Sequence, residues 1–185
     1  MAIKPWRIIS TRSERKCGLF QIRVDEVVMP TTGRRYSVYA LDFSHWANII
    51  ALTPDNQVVL VKQYRHGIRD ITLELPGGVI SENDDPQRGA RRELLEETGY
   101  DAQEWELIGA LHPNPAIQTN LCYTYLARNA YPATRQHLDE LEDIEVVLHS
   151  IYEIPALLRN GVISHALIVA AFGQFFLKYP EYLIK

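Results

Sequence analysis

Residues Leu75 to Tyr100 read LPGGVISENDDPQRGARRELLEETGY. The second half of this stretch predicts a helix over residues 86–98, because Asp85 is a good N-cap residue and proline suits the first helical position. Gly99 suits the left-handed conformation that often follows a helix. The stretch therefore predicts one helix with defined ends.

The helix sets three glutamates on one flank. Glu93, Glu96 and Glu97 are spaced i, i+3 and i+4, so their carboxylates converge. Like charges at these spacings destabilise an isolated helix by roughly 0.2–0.5 kcal/mol per pair. A solvated charged face is the ordinary explanation. However, a tight turn predicted at Pro76-Gly77-Gly78 brings backbone groups to the same place, and a divalent cation such as Mg²⁺ would turn the repulsion into binding.

Composition bounds the class of protein. The 185 residues suffice for one ordinary domain, and 46% hydrophobic with 23% charged residues predicts a packed core. A net charge of −4 argues against duplex nucleic acid as the main partner. The N-terminus lacks a signal-peptide core, and the longest apolar stretch, residues 166–177, is too short to span a bilayer. We therefore expect a cytoplasmic protein with no nucleic-acid or membrane partner.

Local patterns predict a mixed α/β architecture. A hairpin is expected from residues 18–29 and 34–43, and a second from residues 46–52 and 57–63. Further strands are predicted at residues 104–111, 120–128 and 144–150, with helices at 152–159 and 164–178. This order favours an α/β sandwich over a parallel βαβ array, with an N-terminal β-strand layer at residues 1–45 and the main domain at 46–185.

The spacing of the charged residues resembles the signature of the Nudix hydrolases. That signature is Gly, five residues, Glu, seven residues, Arg-Glu, an apolar residue, any residue, Glu-Glu, any residue, Gly and an apolar residue. Gly78, Asp84 and the run from Arg92 to Tyr100 fall on it. Asp84 replaces the first Glu of the signature, and Tyr100 stands at its last apolar position. The resemblance implies the Nudix α/β/α sandwich with a mixed sheet.

The resemblance also implies a metal site. Glu93 and Glu97 would be the principal Mg²⁺ ligands, with Glu96 assisting and the main-chain carbonyl of Gly77 completing the site. Arg92 would pair with a neighbouring carboxylate and orient it. Mn²⁺ also accepts carboxylate oxygen, so the physiological metal stays open.

Similarity to the branch of ADP-ribose and nucleoside-diphosphate-sugar pyrophosphatases extends further along the chain. The segment VVLVKQYRHG, residues 58–67, resembles that branch's lead-in to the signature, and Arg65 would contact the substrate phosphates or form a surface ion pair. The acidic loop at residues 138–146 would carry the general base. Glu140 is the best match and Glu142 the second, unless the loop is simply solvated.

Two more regions carry expectations from this branch. In the segment HPNPAIQTN, residues 112–120, His112 and Asn114 would contact substrate, or the prolines only stiffen the loop. The layer at residues 1–45 would form a homodimer by exchanging strands. Trp46 would then reach the base in the partner's site, or serve in core packing.

These expectations converge on Mg²⁺-dependent hydrolysis of a nucleoside-diphosphate sugar, such as ADP-ribose or a nucleotide-linked hexose. A nucleoside-triphosphate or RNA-end pyrophosphohydrolase is the alternative among enzymes. A nucleotide-sugar-binding sensor that has lost the chemistry is the alternative of another class. The retention of all three glutamates favours the enzyme.

Overall fold

The computed structural model describes residues 2–81 and 83–183 of the chain. Its strands are β1 (Arg7–Cys17), β2 (Phe20–Val28), β3 (Arg35–Phe43), β4 (Trp46–Leu52), β5 (Gln57–Arg65), β6 (Asp70–Glu74), β7 (Gly77–Val79), β8 (Tyr100–Asp101), β9 (Glu104–Leu111), β10 (Cys122–Arg128), β11 (Tyr131–Pro132) and β12 (Ile144–Ser150). Its helices are α1 (Pro86–Thr98), α2 (Ile154–Arg159) and α3 (Ala166–Lys178), followed by a 3₁₀ turn at Pro180–Tyr182.

The chain divides into two compact units. The first, called here the N-terminal unit, comprises the residues up to Ser44 and the segment His112–Leu121. The second, called here the main unit, comprises His45–Leu111 and the residues from Cys122 onward.

The N-terminal unit is a three-stranded antiparallel sheet in the order β1-β2-β3. The predicted hairpin is confirmed as β2 and β3, which pair from Phe20↔Phe43 to Val28↔Arg35. Strand β1 adds an outer strand that local patterning did not single out, and its side chains are almost all exposed. The segment His112–Leu121 joins this unit through a hydrogen bond from Leu41 N to the Ile117 carbonyl, 2.7 Å.

The main unit is built on a mixed sheet in the order β12-β5-β4-β10-β9, with β6 paired to β5 and β7 paired to β4. Strands β4 and β10 run parallel, whereas β4–β5, β9–β10 and β5–β12 are antiparallel. The mixed sheet expected from the sequence is confirmed. Strand β5 runs two residues beyond its predicted end, because β6 pairs with it as far as Arg65↔Asp70.

Alternation along β4 divides the core into two layers. Ile49 and Ala51 pack with Ala90 and Leu94 of α1 on one face of the sheet. Ile50 and Leu52 face the other way and join a cluster that includes residues of α2 and α3. Because successive strand residues point to opposite faces, one strand serves both layers. The predicted α/β/α sandwich is confirmed.

Over the described residues, none of the helices has both the length and the apolar character needed to cross a bilayer.

Candidate active site

Helix α1 begins and ends where the sequence predicts. The Asp85 carboxylate accepts hydrogen bonds from the N–H groups of Gln87 and Arg88, both at 3.0 Å. Gly99 closes the helix with φ 72°. A side chain at Gly99 would also collide with the Thr134 carbonyl oxygen. Both conformation and space therefore require glycine at the end of this helix.

Close packing against the sheet explains a glycine inside the helix. Ala90 and Leu94 of α1 are fully buried. A Cβ at Gly89 would lie 3.3 Å from Cγ2 of Ile80, tighter than most such contacts. The glycine costs the helix about 1 kcal/mol relative to alanine, and the close approach to Ile80 is its structural reason.

Gly77 and Gly78 form strand β7, so the predicted tight turn is wrong. Neither glycine has a positive φ. Gly77 is needed for space instead, since a Cβ there would collide with the Ala47 carbonyl of β4, whereas a Cβ at Gly78 would push aside the end of the Glu93 side chain. The pair lets a strand and a carboxylate approach the same short backbone segment.

Negative charge is concentrated where β7 meets α1. Glu97 is buried, and its Oε2 accepts the Gly77 N–H at 2.8 Å. Burial raises the pKa of Glu97 to about 8, and the charges of Glu93 and Glu142 add to this effect, while the Gly77 hydrogen bond opposes it. Burial also raises the pKa of Glu93. The ionised forms of Glu93 and Glu97 thus lack compensating positive charge, so at neutral pH Glu97 holds a proton unless a cation is bound.

Arg92 bridges the other two carboxylates of the predicted cluster. Its guanidinium lies 2.6 Å from Glu93 Oε1 and 2.7 Å from Glu96 Oε2. This arrangement orients two of the three glutamates of α1.

The donor chemistry fits a divalent cation. Across residues 2–81 and 83–183, no three His, Cys, Asp or Glu side chains are grouped as a formed metal site. Carboxylate oxygens are nevertheless the ligands that Mg²⁺ and Mn²⁺ prefer. Burial and the charges of Glu93 and Glu142 disfavour the ionised form of Glu97, and a bound cation would stabilise that form.

Arg65 is held by a buried acid rather than by a surface partner. Its Nε and Nη2 donate to the two oxygens of Glu74 at 2.9 and 2.7 Å. Thr72 donates to the same carboxylate at 2.6 Å, and Glu74 is only 1% exposed. The charge of Arg65 also lowers the pKa of Glu97. The arginine therefore combines an ion pair with a position beside the acidic cluster.

The acidic loop between β11 and β12 brings Glu142 toward the cluster. The Glu142 carboxylate accepts the Asp139 N–H at 3.0 Å. Its charge raises the pKa of both Glu93 and Glu97, whereas Glu140 is not among the principal charges acting on either. As the candidate general base, Glu140 ranks first by sequence similarity, whereas the electrostatic effect on Glu93 and Glu97 favours Glu142.

The remaining predicted residues lie in different surroundings. Trp46 is half-buried at the start of β4, paired with Val79 of β7 and Cys122 of β10. His112 and Asn114 belong to the N-terminal unit and are exposed.

Sequence reasoning missed two residues that organise this region, Glu74 and Gln136. Glu74 did leave a signal, because it is an acid inside the apolar run Leu73-Glu74-Leu75. Gln136 gave no sequence signal. Its carboxamide donates to main-chain carbonyls, which every residue has.

Comparison with known proteins places this geometry in a family. Residues 44–172 match the model of the NUDIX domain. An ADP-ribose pyrophosphatase of Mycobacterium tuberculosis is 27% identical over 172 residues, which cover 92% of this chain and 83% of that protein. A methanol dehydrogenase activator of Bacillus methanolicus is 28% identical over 128 residues, 69% of each chain.

The fold has a close counterpart among solved structures. The crystal structure of an ADP compounds hydrolase superposes with a TM-score of 0.84, covering 99% of this chain and all of that one. The two sequences are 19% identical, so this likeness bears on the fold alone.

Proposed function

Because this chain belongs to the NUDIX domain family, we propose that it hydrolyses the diphosphate linkage of a nucleoside-diphosphate sugar. The products would be a nucleoside monophosphate and a sugar phosphate. ADP-ribose and nucleotide-linked hexoses are the proposed substrates, supported by the ADP-ribose pyrophosphatase that aligns with most of the chain. The carrying observation is the buried Glu97 beside Glu93 and the Gly77 N–H.

The proposed roles follow from the position of each group. Glu93 and Glu97 would be the principal ligands of Mg²⁺ or Mn²⁺, with Glu96 and the Gly77 carbonyl completing the site. The bound cation would neutralise the diphosphate and lower the pKa of a water molecule. Arg92 would release or share its carboxylates as ligands and keep them oriented.

Arg65 would bind the substrate phosphates. Two of its donors are occupied by Glu74, which leaves Nη1 outside that bidentate pair. Its side chain is 45% exposed, so a ligand can reach it. A guanidinium fixed on one edge can present its other edge to a phosphate without further ordering.

Glu142 would be the general base, because its charge acts on both Glu93 and Glu97. We expect Glu142→Gln to lower kcat by about 10²- to 10⁴-fold, the usual contribution of a general base. Glu140→Gln should leave kcat nearly unchanged, because Glu140 is not among the principal charges that act on Glu93 or Glu97. Steady-state kinetics of the two matched variants decides between them, and the reverse ranking would assign the base to Glu140.

The proposed reaction is tested by a hydrolysis panel with product identification. The panel contains ADP-ribose, UDP-, GDP- and ADP-hexoses, a dinucleoside polyphosphate and a nucleoside triphosphate, each with Mg²⁺, Mn²⁺ or EDTA. We expect monophosphate release from diphosphate sugars, abolished by EDTA and by Glu97→Gln. Activity on triphosphates alone would contradict the proposed substrate class. Absence of turnover with ligand-induced thermal stabilisation would instead support a sensor.

We further propose a homodimer formed through the N-terminal unit. Ile8, Tyr36 and Val38 are 58%, 41% and 39% exposed. Strand register sets Ile8 and Tyr36 on one face, because both lie opposite Val27. Covering this apolar patch would stabilise the sheet. Trp46, His112 and Asn114 are proposed contacts to the substrate in such a dimer, and the cytoplasmic location stays a prediction.

A further inference from the structure

A short segment that follows β11 closes the C-terminal end of α1. We call residues 133–137 the capping segment. The N–H groups of Ala133 and Thr134 donate to the Gly99 carbonyl at 2.8 and 3.0 Å, and that of His137 donates to the Glu96 carbonyl at 2.9 Å. The last carbonyls of a helix have no partner within it, so a segment distant in sequence satisfies them here.

Within this segment, the side chain of Gln136 donates two hydrogen bonds, one to helix α1 and one to strand β12. Its Nε2 donates to the Glu97 carbonyl at 2.6 Å and to the Ile144 carbonyl at 3.3 Å. A carboxamide nitrogen carries two hydrogens, so both bonds can form at once. One side chain thus joins the residue with the most buried carboxylate of α1 to the first residue of β12.

These bonds close the acidic loop at its base. Residues 138–143 leave the capping segment and return to β12 at Ile144, so Gln136 ties both ends of the loop to α1. Inside the loop, Glu142 N donates to the Asp139 carbonyl at 2.9 Å, and Asp139 N donates to the Glu142 carboxylate at 3.0 Å. The loop is a small closed turn whose orientation depends on its attachment.

We propose that Gln136 is a positioning residue for hydrolysis, whose carboxamide holds the Glu142 loop in register with the carboxylates of α1. The inference rests on the proposed function, in which Glu142 takes a proton from the attacking water. A helix cap alone would account for the bond to Glu97 but not for the bond to Ile144. Displacement of a catalytic group by about 1 Å can cost about 100-fold in rate.

The experiment compares variants at this position in the full-length protein. Gln136→Met keeps the length and removes both donors, and Gln136→Asn is too short to reach both carbonyls. Gln136→Lys restores a donor of sufficient reach near a helix C-terminus, where a cation is favourable. Gln103→Met is the control, since Gln103 is another exposed glutamine of the main unit.

For Gln136→Met and Gln136→Asn, we expect kcat on the best nucleotide sugar to fall about 10- to 100-fold. KM and the Mn²⁺ dissociation constant, measured by electron paramagnetic resonance, should stay within twofold. Amide hydrogen exchange should accelerate over residues 138–143, and Gln136→Lys should recover at least part of both losses. Gln103→Met should match the wild type.

Two outcomes would overturn the proposal. An unchanged kcat in Gln136→Met would show that the loop needs no tether. A parallel loss of kcat, Mn²⁺ affinity and melting temperature would reduce Gln136 to a cap that only supports α1. Failure of the proposed function is distinguishable, because the wild type itself would then hydrolyse no nucleotide sugar, while hydrogen exchange would still report whether the tether exists.

Discussion

Two buried glutamates show how surroundings decide the chemistry of a single residue. Burial is the largest influence on the pKa of both Glu74 and Glu97, and in both it opposes ionisation. For Glu74, hydrogen bonds from Arg65 and Thr72 outweigh burial, and its pKa is lowered. Glu97 has one backbone donor and two carboxylate neighbours, and its pKa is raised. Glu74 is therefore an anion that anchors an arginine, whereas Glu97 needs a bound cation to be ionised at neutral pH.

Replacement of Glu74 tests this anchoring role. Glu74→Gln should lower the free energy of unfolding by about 1–3 kcal/mol at pH 7, because it removes a hydrogen-bonded charge from Arg65. Urea denaturation measures the change. Glu145→Gln is the control, because its ion pair with Lys62 is exposed and should contribute less than about 1 kcal/mol.

The stability of the wild type and of Glu74→Gln should depend differently on pH. Because the folded state lowers the pKa of Glu74 below its ordinary value of 4.5, the stabilisation is present above that pH. It is lost as the pH falls through the lower folded value. The stability difference between wild type and Glu74→Gln should therefore shrink from pH 7 to pH 3. A difference that grows on acidification would contradict the assigned ionisation.

Among the secondary-structure elements, those whose form depends on neighbouring residues could be predicted from the sequence. The caps of α1 and the extent of β4 depend on neighbouring residues, and the sequence predicts both. The turn predicted at Pro76-Gly77-Gly78 is replaced by strand β7, because glycine favours turns locally, whereas here Gly77 allows the close approach of β4. The attachment of the capping segment was invisible, since it depends on backbone groups more than thirty residues apart.

Two glycines inside helices allow the effect of helix propensity on stability to be distinguished from the effect of packing. Gly173 of α3 is exposed and has nothing within 4 Å of an added Cβ, so Gly173→Ala should raise the free energy of unfolding by about 0.5–1 kcal/mol. Gly89→Ala should gain less or lose stability, because its methyl group would press on Ile80 at 3.3 Å. If both variants gained the same free energy of unfolding in thermal or urea denaturation, the Ile80 side chain would have to move aside without cost.

At the scale of the whole molecule, charge is divided unevenly between the two units. The N-terminal unit contains eight Lys and Arg against four Asp and Glu, and the rest of the chain contains eleven against nineteen. The two units would attract each other if the cationic N-terminal unit of one copy met the acidic main unit of the other. This division supports the proposed homodimer.

The double variant Ile8→Asp/Tyr36→Asp should dissociate that dimer, because it buries two carboxylates in an apolar contact. Light scattering after gel filtration should show the mass falling from twice 21.2 kDa to 21.2 kDa. Leu148→Asp is the control, since Leu148 is an exposed apolar strand residue of the main unit, 45% accessible. A wild-type mass of 21.2 kDa would exclude the dimer directly.

The parallel pairing of β4 with β10 imposes a delay during synthesis, because β10 is made long after β4. Trp46 finds its partner only at Cys122, 76 residues later. At about 5–20 residues per second, β4 waits about 4–15 s for β10. Throughout that interval, the apolar segment WANIIAL presents an open edge to other nascent chains. The N-terminal sheet, whose strands are sequence neighbours, can be complete before that wait begins.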